Sequence, residues 1–467
     1  MIQQVISHRF FFNLSLLILF ALAPAAAALA QQRTTDQLPP LPPTYTRPTV
    51  LTRPSLPPGS TQPAPATAPD IDLPDYDIPL YRTQGALVET LSGSKVMEQA
   101  ADVTFNPASA VKLATALVAL RSFGPEHRFI TAVWTDGTFN QSTGTITGDL
   151  IVSGRDPSFH YEHAIEIARE LNRQGIRTVT GDLIVAPRFS MNFDWSTQRS
   201  GDVLYDTMDA ARRSGEATRN WYEERRALGD TTGFQSVPSV AIMGAVYVDS
   251  VPPRARLLLS HRSSKLVDVL KVLLCYSNNF MAERIGDTLG GAEGVRRQVV
   301  SGVGLKPMDV SLASTSGLGV NRVTPRAMMK IFRALRDELA KHKLSPSDIM
   351  PVAGIDPGTL KKRYTSYPSR GSVIAKTGTL IRTDGGVSAL VGQMQTAKGE
   401  TLLFVIFNQR GNVLRFRESQ DALVTQLQST RGGPAAFNYN PLTLAMRLAD
   451  TELDSAKVRK DEYEPAQ

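Results

Sequence analysis

The sequence predicts an α+β fold: one sheet closed by the two ends of the folded span, helices between them, and an inserted β-rich region. Three observations predict it. Short strand-like runs lie at 86–90 and 96–99 and recur far downstream at 372–376, 387–395 and 401–408. Helical patterns fill much of the interval, at 109–123, 265–274, 279–289 and 325–343. The hexapeptide Thr-Gly-Asp-Leu-Ile-Val occurs twice, at 147–152 and 180–185, with a helical stretch at 163–174 between the copies. A period of 33 residues could suggest a solenoid. Two copies are too few to stack, so they read as similar strands of one small domain.

Ahead of the fold, Arg9 ends a short positive region, residues 10–22 are apolar except for Asn13 and Ser15, Pro24 breaks the run, and Ala28-Leu29-Ala30 forms a small-residue cleavage site. This is expected to be an export signal, residues 1–30, cleaved after Ala30. Uncleaved, the same stretch approaches a spanning length and would give the only membrane contact. No Cys stands at the end of the apolar run, which argues against a lipid anchor. Residues 31–78 form a proline-rich linker: thirteen of the thirty prolines fall between Pro39 and Pro79, a composition that favours a semi-rigid extended spacer. With a single cysteine, Cys275, no intrachain disulfide is possible. The composition, 42% hydrophobic and 20% charged, excludes wholesale disorder and a polytopic membrane protein. The formal charge of +7, from 51 basic and 44 acidic residues, is spread along the chain. It is compatible with acidic partners and gives no argument for nucleic acid.

Within the folded span, Ser92-Gly93-Ser94-Lys95 marks a hairpin turn. Asn106-Pro107-Ala108 leads into the helix at 109–123, apolar on nearly every face and stopped by Gly124-Pro125, hence buried. The inserted domain spans 129–251. Its polar part, 201–229, reads as a solvated helical face or loop. A helix is expected at 417–427. Past Phe437 the chain is polar, and this tail (438–467) is expected to be poorly ordered, with one short helix. The main domain is then 79–128 together with 252–437.

Three motifs carry chemistry. Ser109-Ala-Val-Lys112 opens the buried helix, Ser277-Asn278-Asn279 lies between two helical runs, and Lys376-Thr377-Gly378-Thr379 ends a strand. Residues three apart share a helix face, so Ser109 and Lys112 can meet. Burial disfavours the lysine's charged form, and a neutral lysine beside a serine is an activated nucleophile with its base. Ser109 also lies in the first helical turn, where its N–H is free for an oxyanion. A serine three before a lysine arises by chance about once in such a chain. Ser92 and Lys95 are that copy, in a turn with no helix to fix them. Ser-Asn-Asn alone is a common helix cap. The glycine of Lys-Thr-Gly-Thr is where a ligand can approach backbone closely. The three together, in these contexts, favour catalysis. No histidine has a triad setting. His160 and His163 lack further metal ligands and read as structural, and Cys275 follows Leu273-Leu274 as a small buried hydrophobe. The residues call for no metal and no cofactor.

These motifs are shared by penicillin-binding proteins and class A β-lactamases. Over about 85–427 the chain resembles the exported D-alanyl-D-alanine carboxypeptidase/endopeptidase family, the class C low-molecular-mass penicillin-binding proteins. The resemblance extends to the segment from Asn106 to Leu117, to Gly154-Arg-Asp-Pro157, to Ala282-Glu283 after the second motif, to Ser316-Gly-Leu318 with Asn321-Arg-Val-Thr-Pro325, and to Pro351–Ile355 with Gly358-Thr-Leu360. It implies a serine β-lactamase/D,D-peptidase-like fold: an antiparallel sheet flanked by helices, an all-helical subdomain, and the insertion. It implies that Ser109 attacks the penultimate D-Ala carbonyl, Lys112 takes its proton, Ser277 relays a proton to the leaving amine, and Asn279 holds the substrate amide. Lys376, Thr377, Gly378 and Thr379 would bind the terminal carboxylate, and the N–H groups of Ser109 and Thr379 would form the oxyanion hole. Asp156 would touch the stem peptide. The implied partners are peptidoglycan stem peptides and β-lactams, and the implied place is the periplasm. A β-lactamase or esterase of the same fold and a non-catalytic wall-binding protein are the alternatives, and carboxypeptidase against endopeptidase preference stays open. The 168 residues from Ser109 to Ser277 suggest a reduced insertion.

Overall fold

Two strands that the sequence marks as continuous apolar runs, Val387–Gln395 and Thr401–Gln409, are buried on both faces and form the centre of a five-stranded antiparallel sheet. Its order is Val373–Leu380, Val387–Gln395, Thr401–Gln409, Gln84–Thr90, Lys95–Gln99. The two ends of the folded span meet here, Gln84 opposite Asn408. This computed structural model describes residues 83–230 and 237–455. The expected signal, linker and last part of the tail lie outside them.

Side chains alternate across the sheet, as the pleat requires. Ala389, Val391, Leu403, Val405 and Phe407 face one core, shared with the buried helix and the helix Pro325–Lys341. Leu390, Met394, Leu402, Phe404 and Ile406 face a second core, closed by Val424 of the helix Val413–Ser429. The buried helix runs Lys112–Phe123 after a short 3₁₀ turn, Ala108–Val111, and is buried without interruption from Lys112 to Leu120. Gly124, at φ +79°, closes it by donating its N–H to the Leu120 carbonyl. Helices Leu266–Tyr276, Asn279–Thr288, Gly291–Val303 and Pro325–Lys341 share the same core.

The insertion is built on the repeat. The two Thr-Gly-Asp-Leu-Ile-Val segments lie side by side in parallel, Leu150 opposite Leu183 and Thr145 opposite Thr178, with the helix Tyr161–Arg173 as the crossover. A third, diverged copy completes the set: Ile242 lies opposite Val179 and Val246 opposite Leu183. One device joins the copies. Asp149 Oδ1 accepts the N–H of Asp182 at 2.7 Å, and Asp182 Oδ1 accepts the N–H of Ala245 at 2.7 Å. The glycine preceding the residue that donates its N–H in each case, Gly181 or Gly244, is required: a Cβ there would lie 2.1 Å from the carboxylate. The repeat thus forms three rungs rather than two. The resulting six-stranded sheet also takes in Arg256–Arg262, beyond the boundary expected at 251, because that strand pairs along Ile130–Thr135.

One expectation is refined and one corrected. Residues 201–229 are helical, in Thr197–Met208 and Gly215–Ala227, with one buried anchor: Trp221 packs within the insertion, its indole N–H 2.6 Å from Glu166. Of the tail, residues 438–455 are docked. Tyr439 donates its hydroxyl to Asp356 at 2.7 Å, Arg447 pairs with Asp268 at 2.6 Å, and the helix Leu444–Ala449 leads to a strand, Glu452–Ser455, on the edge of the six-stranded sheet. The polar composition was misleading because a sheet edge offers backbone hydrogen bonds, which need no apolar side chains.

Candidate active site

Asn106 builds the turn that presents Ser109. Its Oδ1 accepts the N–H of Ala108 at 3.0 Å, while its Nδ2 donates to Asp384 at 2.7 Å and to the Gly319 carbonyl at 3.0 Å. Arg322 grips Asp384 through both carboxylate oxygens, at 2.9 and 2.8 Å, and holds its carboxyl below the usual range. Ala108 is thereby kept at φ +46°, a left-handed conformation unfavourable to a residue with a Cβ, immediately before Ser109. Two glycines let other segments close on this turn. A Cβ at Gly317 would lie 2.0 Å from the Ala108 carbonyl oxygen, and one at Gly378 would lie 2.6 Å from that of Pro107.

One turn on, Lys112 is fully buried. Its Nζ lies 3.0 Å from Ser109 Oγ, 2.7 Å from Asn279 Oδ1 and 2.6 Å from the Ser316 carbonyl oxygen. Burial pulls its pKa down to about 7, opposed by the charge of Glu283. The neighbours fix how a neutral amine would sit. Two of them can only accept, so its two N–H bonds go to Asn279 and Ser316, and its lone pair faces the Ser109 hydroxyl. That is the arrangement of a base about to take a proton.

Ser277 sits in the left-handed cap of Leu266–Tyr276 at φ +57°, and Asn278 caps the next helix by accepting the Met281 N–H. The three-residue motif is thus the joint between two helices, which places Asn279 at the head of the second. Lys376, also fully buried, donates to Ser277 Oγ at 2.8 Å and to the Thr377 carbonyl at 2.7 Å. Burial and then the nearby Lys112 hold its pKa well below the ordinary lysine value. Thr377 and Thr379 point to one side of their strand, as residues two apart must. Gly358-Thr359 braces the joint from behind: the Thr359 N–H donates to the Cys275 carbonyl, and a Cβ at Gly358 would lie 2.1 Å from that oxygen. Deeper on the same helix, Lys271 Nζ makes three bonds of 2.7 Å, to Asp356 and to the carbonyls of Ser347 and Met350.

The structure therefore gathers Ser109, Lys112, Ser277, Asn279 and Lys376 into one connected set, with Gly378 against the nucleophile's turn and Thr377 and Thr379 on the adjoining strand. Sequence reasoning missed Glu283. It accepts the N–H of Ser316 at 2.9 Å and the Thr315 hydroxyl at 2.7 Å, so it holds the carbonyl that Lys112 contacts. Its position four residues after Asn279, on the same helix face, was the available signal. Asp384, Arg322 and Arg417 were missed as well. Arg417 donates to Thr379 Oγ1 at 2.9 Å.

The other residues that the sequence singles out make local contacts. Lys95 pairs with Glu98 in the hairpin. His163 Nδ1 accepts the His160 N–H at a helix start, and among the described residues no group of His, Cys, Asp and Glu could hold a metal. The Cys275 thiol is pushed up to about 12 by burial, too high for a nucleophile. Asp156 is buried, accepts from the Ser158 N–H and hydroxyl, and is pushed up to about 6 by burial. A groove of about 590 Å³, lined by residues such as Glu126, Arg128, Lys265 and Glu452, contains none of the motif residues; Lys265 pairs with Glu126 and Arg128 with Glu452.

Comparison with known proteins places the chain in a family. The model of the D-Ala-D-Ala carboxypeptidase 3 (S13) family matches residues 76–204 and 236–430. The chain is 26% identical to carboxypeptidase DacB of Mycolicibacterium smegmatis over 89% of this chain and 96% of that one. It is 25% identical to a D-alanyl-D-alanine carboxypeptidase of Actinomadura, over 75% and 81%. Among solved structures it is similar in fold to a penicillin G-acylated predatory endopeptidase of Bdellovibrio bacteriovorus, at TM-score 0.66 and 22% identity, covering 78% of this chain and 96% of that one. Penicillin-binding protein 4 of Haemophilus influenzae gives TM-score 0.54 at 22% identity, over 73% and 96%.

Proposed function

Because the chain belongs to the D-Ala-D-Ala carboxypeptidase 3 (S13) family of serine hydrolases, we propose that it is exported to the periplasm and cleaves peptidoglycan stem peptides through an acyl-Ser109 intermediate that penicillins trap. The single observation that carries this reading is the Lys112 amine 3.0 Å from Ser109 Oγ, with its other two contacts both acceptors. Ser109 Oγ attacks the carbonyl of the penultimate D-Ala and its proton passes to Lys112. The oxyanion is held by the N–H groups of Ser109 and Thr379. Lys376 donates to Ser277 Oγ, which leaves the Ser277 hydroxyl proton free to go to the departing amine as the C–N bond breaks; the proton that Lys112 took from Ser109 replaces it on Ser277, so Lys112 is neutral again. Asn279 holds the substrate amide, and Lys376, Thr377 and Thr379 meet the terminal carboxylate. Water then attacks the ester carbonyl and gives a proton to Lys112, which passes it to Ser109 Oγ as the ester C–O bond breaks, so both Ser109 and neutral Lys112 are restored. Export is supported by the signal pattern around Arg9 and Ala28-Leu29-Ala30.

Intact-mass spectrometry of the protein lacking residues 1–30, with a labelled penicillin and beside Ser109→Ala, tests this. One stable adduct that maps to Ser109 and is lost in the variant is expected. Hydrolysed penicillin without an adduct would move the reading to a β-lactamase. Neither adduct nor product would leave a wall-binding protein.

A further inference from the structure

The family model matches only as far as residue 430, and the segment beyond it returns to the helix that ends at Ser277. Two of its side chains grip that helix, Leu266–Tyr276. Arg447 pairs with Asp268 in the first turn, at 2.6 Å. Lys271, three residues on and on the same face, is fully buried and bonds Asp356 Oδ2 at 2.7 Å. That oxygen also accepts the Val352 N–H at 2.8 Å. Oδ1 has one partner among the described residues, the Tyr439 hydroxyl at 2.7 Å, and the Tyr439 ring lies 4.8 Å from the Lys271 ammonium. The C-terminal segment thus completes a buried network that would otherwise leave a carboxylate oxygen unpaired. What the network holds is demanding. Ser277 caps the helix at φ +57°, a conformation that a residue with a Cβ keeps only where its surroundings impose it, and its Oγ stands 2.8 Å from Lys376 Nζ.

We infer that Tyr439 is a positioning residue for the peptidase reaction: through Asp356 and Lys271 it sets where Ser277 stands when the leaving group takes its proton. This rests on the acyl-Ser109 reading above and gives the C-terminal segment a part in it. Its effect falls on the one step that uses Ser277. The amine of a peptide departs with that proton as the C–N bond breaks. A thioester needs none, because its sulfur departs as a thiolate when the C–S bond breaks, and the proton taken from Ser109 passes from Lys112 to water.

The test compares kcat/KM, which ends with acylation, for an N-acylated peptide ending in D-Ala-D-Ala and for the mercaptoacetate thioester of the same acyl group. Tyr439→Phe keeps the ring and removes the hydroxyl. It should lose about tenfold on the peptide, part of the roughly 100- to 10,000-fold that a placed proton donor supplies, and less than about twofold on the thioester. Asp454→Asn, which weakens the same segment's pair with Arg262 at the sheet edge, should spare both. Assays run below the melting temperature of each variant, measured beside them. Equal losses by Tyr439→Phe on both substrates, or no loss, would overturn the inference, as would an equally selective loss in Asp454→Asn. Ser277→Ala should show the same selectivity more strongly. If it does not, the relay and the inference fall together, while acylation of Ser109 by penicillin in the same preparation would show the acyl-Ser109 reading intact.

Discussion

The cleft and the repeated insertion hold backbone with the same chemical device and put it to opposite uses. In the insertion, Asp149 and Asp182 each accept the backbone N–H of the next copy, and each bond joins segments of like sequence. In the cleft, Asn106, Gly319, Arg322 and Asp384 converge from separate parts of the chain on the single turn before Ser109. Repetition makes stability local and cumulative. Convergence makes position collective, so that one wrong atom is felt at the nucleophile.

Three experiments would break or sharpen that contrast. The largest effect is expected at the Lys271–Asp356 pair, where both side chains are buried and the helix they brace ends at Ser277. Asp356→Ala leaves a buried ammonium without its counter-charge and should cost about 3–5 kcal/mol of stability. Asp182→Ala removes one rung and should cost about 1–3 kcal/mol, with peptidase activity retained. Denaturant titrations of both would show it, and equal losses would erase the distinction. Next come two glycines given the same insult. A Cβ at Gly317 would lie 2.0 Å from the Ala108 carbonyl, and one at Gly181 would lie 2.1 Å from the Asp149 carboxylate. Gly317→Ala should lower the acylation rate about 100-fold, as for an ångström-scale misplacement of a nucleophile, whereas Gly181→Ala should lower the melting temperature and spare the rate. Loss of activity in both would mean that the insertion also positions the cleft. The smallest effect is in pH. Lys112 must be neutral to take the Ser109 proton, and its pKa is about 7. Acylation should therefore rise with pH and level off above about 7, falling roughly tenfold per unit below it. Rung variants should leave that midpoint in place. A flat profile between about pH 5.5 and 8.5 would remove Lys112 as the base.

Much of this was legible in the sequence because it is local. The hairpin, the buried helix with its Gly124-Pro125 stop, and the central strands follow from periodicity and turn residues, and the catalytic set follows from three short motifs in suitable contexts. What was missed acts across the fold. Glu283 works through a loop contributed by Thr315 and Ser316, Asp384 through Asn106, and Arg417 through Thr379, and none of these pairings leaves a periodic trace. The third copy of the repeat escaped because Ala245 replaces the aspartate, two helices intervene, and the spacing from Asp182 grows to 63 residues. The tail was misjudged because its strand takes hydrogen bonds from an existing edge.

The closure of the central sheet also sets an order of events for the chain. Gln84–Thr90 must wait for Thr401–Gln409 before its own edge is satisfied, whereas the rungs of the insertion pair segments only 33 residues apart at their nearest. Closing the longer loop costs more entropy before any contact rewards it. The insertion is therefore expected to gain protection against hydrogen exchange before Gln84–Thr90 does, so that the sheet closes late in folding, on a scaffold partly formed ahead of it.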